Sequence, residues 1–224
     1  HRDLHLSIRR QRQMCIRDRV ASNAISRLAE TFRHLRSYQN VFWLFVSRIF
    51  YNDALVTAFT FGAIYAAGTF QYSPEQILVF GVALNVFAGL GAFGFSFLED
   101  RIGSRKTIII SLICLSASSA AAVFVETKAG FWACAIVLGI FIGPNQSASR
   151  AFLSRIAPSD KVNEFFGFFA FSGKATSFLG PLLCGALTAT YDSQRVGMAI
   201  VPVLFVIGLV LLVFKTRPFS GKEK

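Results

Sequence analysis

The 224-residue sequence predicts an all-α membrane protein, with six transmembrane helices behind an amphipathic interfacial helix. Three observations predict it. Hydrophobic residues make up 54% of the chain and charged ones 16%, where a soluble domain usually carries about a quarter of its residues charged. The apolar residues, 25 of them Phe, gather into runs that match the ~20 helical residues needed to cross a ~30 Å hydrocarbon core. Short basic patches separate the runs. The runs are apolar all round and lack the alternation over ~10-residue segments of a barrel, so helices are selected over β-strands.

Residues 1–19 form a basic opening without an initial Met or the apolar core of a signal peptide. Met14-Cys15-Ile16-Arg17-Asp18 resembles translated sequencing-adaptor DNA, so this stretch reads either as non-native or as a basic arm. From Val20 to Tyr38, the residues Val20, Ala24, Ile25, Leu28, Phe32 and Leu35 recur near helical spacing, with Arg27, Glu30, Arg33 and Arg36 between them. This pattern predicts an amphipathic linker helix lying on the membrane surface. A bundle at 39–215 then holds six spans: Asn40–Phe70, Gln76–Phe97, Thr107–Val125, Phe131–Ser149, Asn163–Thr190 and Val196–Phe214, with 216–224 as a tail.

Charge placement predicts orientation. Arg27, Arg33, Arg36, Arg101, Arg105, Lys106, Arg150, Arg155, Lys161, Lys215, Arg217, Lys222 and Lys224 fall on one side of the spans, against Lys128 and Arg195 on the other. The positive-inside rule makes both termini cytoplasmic. The net charge of +11 does not indicate a nucleic-acid partner, because outside the first nineteen residues it forms no continuous basic face with polar or aromatic readers. Cys15, Cys114, Cys134 and Cys184 are too scattered for a zinc or redox site, and no cofactor or metal is called for. There is no G-x-x-x-x-G-K-[ST] loop for ATP, and His1, His5 and His34 all precede the first span, so no Ser/His/Asp grouping forms. The chain reads as a non-enzyme.

Between the second and third spans lies Ser96-Phe97-Leu98-Glu99-Asp100-Arg101-Ile102-Gly103-Ser104-Arg105-Lys106. It resembles the major facilitator superfamily loop G-x-L-x-D-R-x-G-R-K, with one inserted small residue and Ser96 in place of the first Gly. Gly103 suits a tight turn. Asp100, at a helix end, suits hydrogen bonding to a basic residue or an opposing helix N-terminus. The resemblance implies a cytoplasmic gate of Asp100, Arg101, Gly103, Arg105 and Lys106, joined by Arg150 and Glu164; the plainer reading is a basic loop that fixes topology. It also implies that the six spans are one half of a major-facilitator fold, the C-terminal half, whose partner would be a preceding six-helix half.

Three further segments narrow the resemblance. Phe50-Tyr51-Asn52-Asp53-Ala54 lies in the first span, Gly143-Pro144-Asn145-Gln146-Ser147-Ala148-Ser149-Arg150 closes the fourth, and Glu164-Phe165-Phe166-Gly167-Phe168 opens the fifth. Together they resemble the vacuole-effluxer branch, in which Y-x-D-G, G-G-x-Q-x-x-S-R and E-F-F-G-x-Y occur in this order. Ala54, Pro144 and Phe168 depart from it. The resemblance implies a secondary transporter moving a small polar solute, amino acids among the candidates, by alternating access.

Ionisable groups inside a bilayer are costly and usually face a cavity or one another. Arg48, Asp53 and Lys174 are the clearest cases, with Asn52 beside Asp53, and Asn145 and Gln146 beside the Gly143-Pro144 break. These six are the candidates for a substrate or proton pathway. Asp53 and Lys174 fall at similar depth, which allows a contact between them. Each also has a purely structural reading as an ion pair or helix-to-helix lock. The expected partners are membrane lipid, the other half and a small solute, with or without protons. The rival to a carrier is a self-sufficient six-helix scaffold, receptor or homodimeric channel.

Overall fold

The computed structural model describes residues 38–216; the expectations for the basic opening, the amphipathic linker and the end of the tail lie outside these residues. Among the described residues every regular element is a helix: α1 (Gln39–Phe70), α2 (Pro74–Ile102), α3 (Ser104–Phe124), α4 (Lys128–Ile156), α5 (Val162–Ala175), α6 (Leu179–Tyr191), α7 (Gln194–Met198) and α8 (Ile200–Lys215). Five helical stretches are long and apolar enough to cross a membrane: α1, α2, α3, α4 and the segment Gln194–Lys215. The span expected at Asn163–Thr190 is not one rod. It is α5 and α6, parted at Thr176-Ser177-Phe178, and neither piece is long enough to cross alone.

Proline chemistry accounts for this correction. Pro lacks an N–H, and its ring collides with the carbonyl four residues back, so it suits the first turn of a helix, where donors have no intrahelical partner. Pro181 is the third residue of α6 and points its clash at Ser177, inside the break. Pro202 repeats the arrangement as the third residue of α8, four residues after Met198, where α7 ends. Pro144 behaves differently, because α4 runs through it unbroken. The carbonyl it leaves without a helical donor, that of Ile140, is covered by α2 at Gly91, where a side chain would overlap the oxygen at 1.9 Å. Gly143 returns the contact, lying as close to the Ala88 carbonyl of α2. Small residues thus let these two helices touch along their backbones.

The two ends of the bundle are built differently. At one end, Ser73 caps α2 in a reciprocal box with Gln76, and Thr127 caps α4. Rings of Tyr65, Phe70, Tyr72, Phe80, Phe131 and Trp132 pack there, with Phe131 stacked on Phe70 at 4.7 Å and on Phe80 at 5.5 Å. Burial holds the Tyr72 phenol above its ordinary pKa, and its hydroxyl donates to the Lys128 carbonyl at 3.1 Å. At the other end, Gly103 alone joins α2 to α3, at φ +87°, a conformation that disfavours any residue with a Cβ. Between the ends, α4 packs along α2 and α3, and α3 packs along α8.

Candidate functional site

The polar interior is arranged around α1, whose buried face meets α4, α5, α6 and α8 in turn. Ser47 donates to the Gly208 carbonyl of α8 at 2.7 Å. One turn on, the Tyr51 hydroxyl shares a hydrogen bond with Ser149 of α4 at 2.9 Å, and Ser149 donates back to the Asn145 carbonyl at 2.5 Å. Asn52 donates its amide to the Gly173 carbonyl, near the end of α5, at 2.8 Å. Asp53 accepts a 2.5 Å hydrogen bond from the Gly180 backbone N–H in the first turn of α6. Three successive residues therefore attach α1 to three different partners, because adjacent helical positions lie 100° apart.

Asp53 is 2% exposed, and its second oxygen, Oδ1, has no hydrogen-bond partner. The N-terminus of α6 suits it, since free backbone N–H groups and the helix dipole favour negative charge there. Only glycine allows this approach: a Cβ at Gly180 would lie 2.1 Å from Thr57 Oγ1. Thr57 in turn donates to the Asp53 carbonyl at 2.7 Å. At ~1.5 Å per residue Asp53 sits ~21 Å from the start of α1, close to the middle of the rod. The contact with Lys174 that depth allowed is not formed. Lys174 is exposed, and the carboxylate is met by a helix end instead.

Arg48 occupies a separate junction. It is 8% exposed, its guanidinium carbon lies 3.6 Å from the centre of the Phe169 ring, and its Nε has no partner. Tyr51 lies three residues further along the same face of α1. Asn145 is fully buried with both ends of its amide unpartnered, whereas neighbouring Gln146 is exposed. Unpaired buried amides and charges are rare and costly, so these atoms set the two residues apart from ordinary packing contacts.

The loop residues separate into two sets. Asp100, Arg101, Lys106 and Arg150 are exposed, and Glu164 is half-buried in the first turn of α5. Arg105 instead caps the end of α8, donating to the Val213 carbonyl at 3.0 Å and to the Thr216 hydroxyl and carbonyl at 3.1 and 2.9 Å. Cations favour that end of a helix dipole, so Arg105 fastens α3 to α8. The buried acid of the loop is Glu99, not singled out from the sequence, which accepts from Ser104 at 2.6 Å. Tyr51, Ser149, Phe169 and Gly180 also escaped sequence reasoning as site residues. Tyr51, three residues after Arg48, and Ser149, four after Asn145, each share a helix face with a candidate, and that signal could have found them. The apolar cavity between α1, α2 and α4, ≈ 50 Å³ and lined by Leu55, Gly62, Tyr65, Phe80, Phe131 and Ile142, is too small and too dry for a polar solute. The described residues hold no group of three or more metal-binding side chains.

A bundle with five helical stretches long and apolar enough to cross a membrane belongs to the class of multi-pass membrane folds. The helices share the fold of the fucose:proton symporter of E. coli, with a TM-score of 0.70 and 13% identity, covering 88% of this chain and 46% of that one. The chain belongs to the vacuole effluxer Atg22-like family, matched over residues 6–222. It is 27% identical to the MFS-type transporter YxiO of Bacillus subtilis across 87% of this chain and 45% of that protein. It is also 27% identical to autophagy-related protein 22 of Yarrowia lipolytica, across 85% of this chain and 34% of that protein. The chain thus spans less than half the length of these curated relatives.

Proposed function

We propose that these helices are the C-terminal half of a secondary carrier that moves a small polar solute across a membrane by alternating access, with Asp53 exchanging the coupling proton. The observation that carries this reading is the Asp53–Gly180 contact: a buried carboxylate, mid-rod, holds the N-terminus of the second piece of an interrupted helix. Discontinuous helices at the membrane midplane are where carriers place solute and coupling ions. Protonating Asp53 weakens its hold on α6, so the charge state of one group biases the position of that helix segment. The relative named as an MFS-type transporter supports the reading, as does the greater length of the relatives, which leaves room for a first six-helix half.

The exposed face of α2 supports the same assembly. Leu78, Val82, Val86, Phe93 and Phe97 are each more than half exposed along one stripe. A stripe this apolar needs lipid or another helix against it. Amino acids are the first solutes to try, given the family. The experiment is uptake by the full-length carrier in proteoliposomes under an imposed pH gradient, over a panel of amino acids, sugars and small organic acids. Saturable, gradient-driven uptake of at least one solute is expected. Ungated, non-saturable leakage of all of them would show a channel or scaffold instead.

A further inference from the structure

We propose that the turn joining α2 to α3 is a seat for the phosphate of an anionic lipid headgroup, held by Arg105, Lys106 and Arg155. The site lies away from the polar face of α1, and the inference does not depend on the carrier reading.

Space and charge coincide here. Gly103 and the first turn of α3 meet the end of α4 around a cavity of ≈ 220 Å³, walled by Ile102, Ser104, Phe152 and the three cations. A water molecule takes up ~30 Å³ in the liquid, so there is room for a group several times that size. Arg105 has its Nε and Nη2 taken by the end of α8, which fixes the guanidinium plane; among the described residues Nη1 has no bond. Lys106 and Arg155 are exposed, and among the described residues neither pairs with a carboxylate. The acids nearest in the chain are Glu99, which is turned to the Ser104 hydroxyl, and Asp100, which is exposed outside the cavity wall. Three cations around one space repel each other unless an anion stands between them.

The backbone adds to the imbalance. The first helical bond of α3 runs from the Thr107 N–H to the Gly103 carbonyl, so the N–H groups of Ser104, Arg105 and Lys106 have no carbonyl of their own helix to meet. This end of a helix dipole favours anions, yet α3 has no acid in its first turn and carries two cations there. Arg105 recovers part of that cost at the end of α8; Lys106 has no such partner.

Position selects a lipid as the source of the anion. α2 and α3 are each long and apolar enough to cross a membrane, so the turn between them lies where hydrocarbon gives way to water. Leu98 lies four residues before Ile102, Ile110 four after Lys106, and Phe214 beside Val213, whose carbonyl Arg105 holds. All three expose apolar surface, which suits acyl chains next to a bound headgroup. Basic pockets between membrane-crossing helices take phosphate headgroups in this way. A choline headgroup fits less well, because it brings a cation of its own against three others.

The test uses the full-length protein purified in detergent and its Lys106→Gln, Arg155→Gln and doubly substituted variants. Lys161→Gln, which removes a cation from the neighbouring turn between α4 and α5, is the control. Thermal unfolding is followed with phosphatidylglycerol, phosphatidylcholine and diacylglycerol, and with inorganic phosphate and glycerol phosphate as soluble probes. Phosphatidylglycerol should stabilise the wild type at concentrations at least tenfold lower than phosphatidylcholine does, and diacylglycerol should do nothing specific. Each single variant should weaken the phosphatidylglycerol effect at least threefold, the double variant should abolish the preference, and Lys161→Gln should leave it unchanged. The inference is overturned if the two phospholipids act alike, or if the preference survives the double substitution. It is equally overturned if inorganic phosphate or glycerol phosphate stabilises the protein and no lipid does. Should the double variant fail to fold, the two single variants decide the matter.

Discussion

The aromatic end of the bundle and the polar face of α1 solve opposite problems. Phe131 touches four other rings, and the hydroxyls of the buried Tyr65 and Tyr72 each find a backbone carbonyl. Along α1 and the facing turn of α4, by contrast, Arg48 Nε, Asp53 Oδ1 and both ends of the Asn145 amide lack partners. Ring clusters of this kind have one good packing and lose much on leaving it. Polar groups with spare valences have several arrangements of similar energy, which is what a moving part requires. The described residues therefore set paired, close-packed rings at one end of the bundle and unpaired buried groups beside a helix break.

Three substitutions test how sharp that division is. Asp53→Asn in the full-length carrier should have the largest effect. An amide cannot exchange a proton, so pH-gradient-driven uptake should fall at least 100-fold while solute counterflow continues; proteoliposome flux measured with and without a gradient separates the two. Phe131→Ala should cost about 3–5 kcal/mol in unfolding, as large-to-small changes in packed cores do. Solute affinity in the surviving folded protein should be unchanged. A shift in affinity as large as the loss of stability would show that the two regions are one cooperative unit. Gly62→Ala should have the smallest effect and the opposite sign. Gly62 lies inside α1 with open space where its Cβ would go, so alanine should stabilise by about 0.5–1 kcal/mol, read as a higher unfolding midpoint.

The span count depended on an ambiguity that hydropathy does not resolve. Asn163–Thr190 is apolar enough for one rod, yet Pro181 divides it, and the same residue type at Pro144 leaves α4 whole. The difference lies outside either helix: the carbonyl freed by Pro144 is covered by the bare backbone of Gly91 on α2, a contact between residues 49 positions apart or more that no local pattern encodes. The site was legible in the same partial way. Arg48, Asp53 and Asn145 stand out because polar groups in apolar runs are expensive. Their partners did not stand out: Asp53 is held by a backbone N–H, and Phe169 is one ring among many in a Phe-rich stretch. In the loop, Glu99 and Asp100 are adjacent acids pointing to different surroundings, and only the packing of Ser104 decides which one is enclosed.

The single residue between α2 and α3 has a mechanical consequence. With Gly103 as the only spacer, and Arg105 pinning the following turn to the end of α8, the connection has no slack to absorb sliding. Any tilt of α2 must be handed straight to α3 and α8. The apolar stripe on α2 would then act as the handle of a stiff three-rod frame, against which the divided α5–α6 strand can swing.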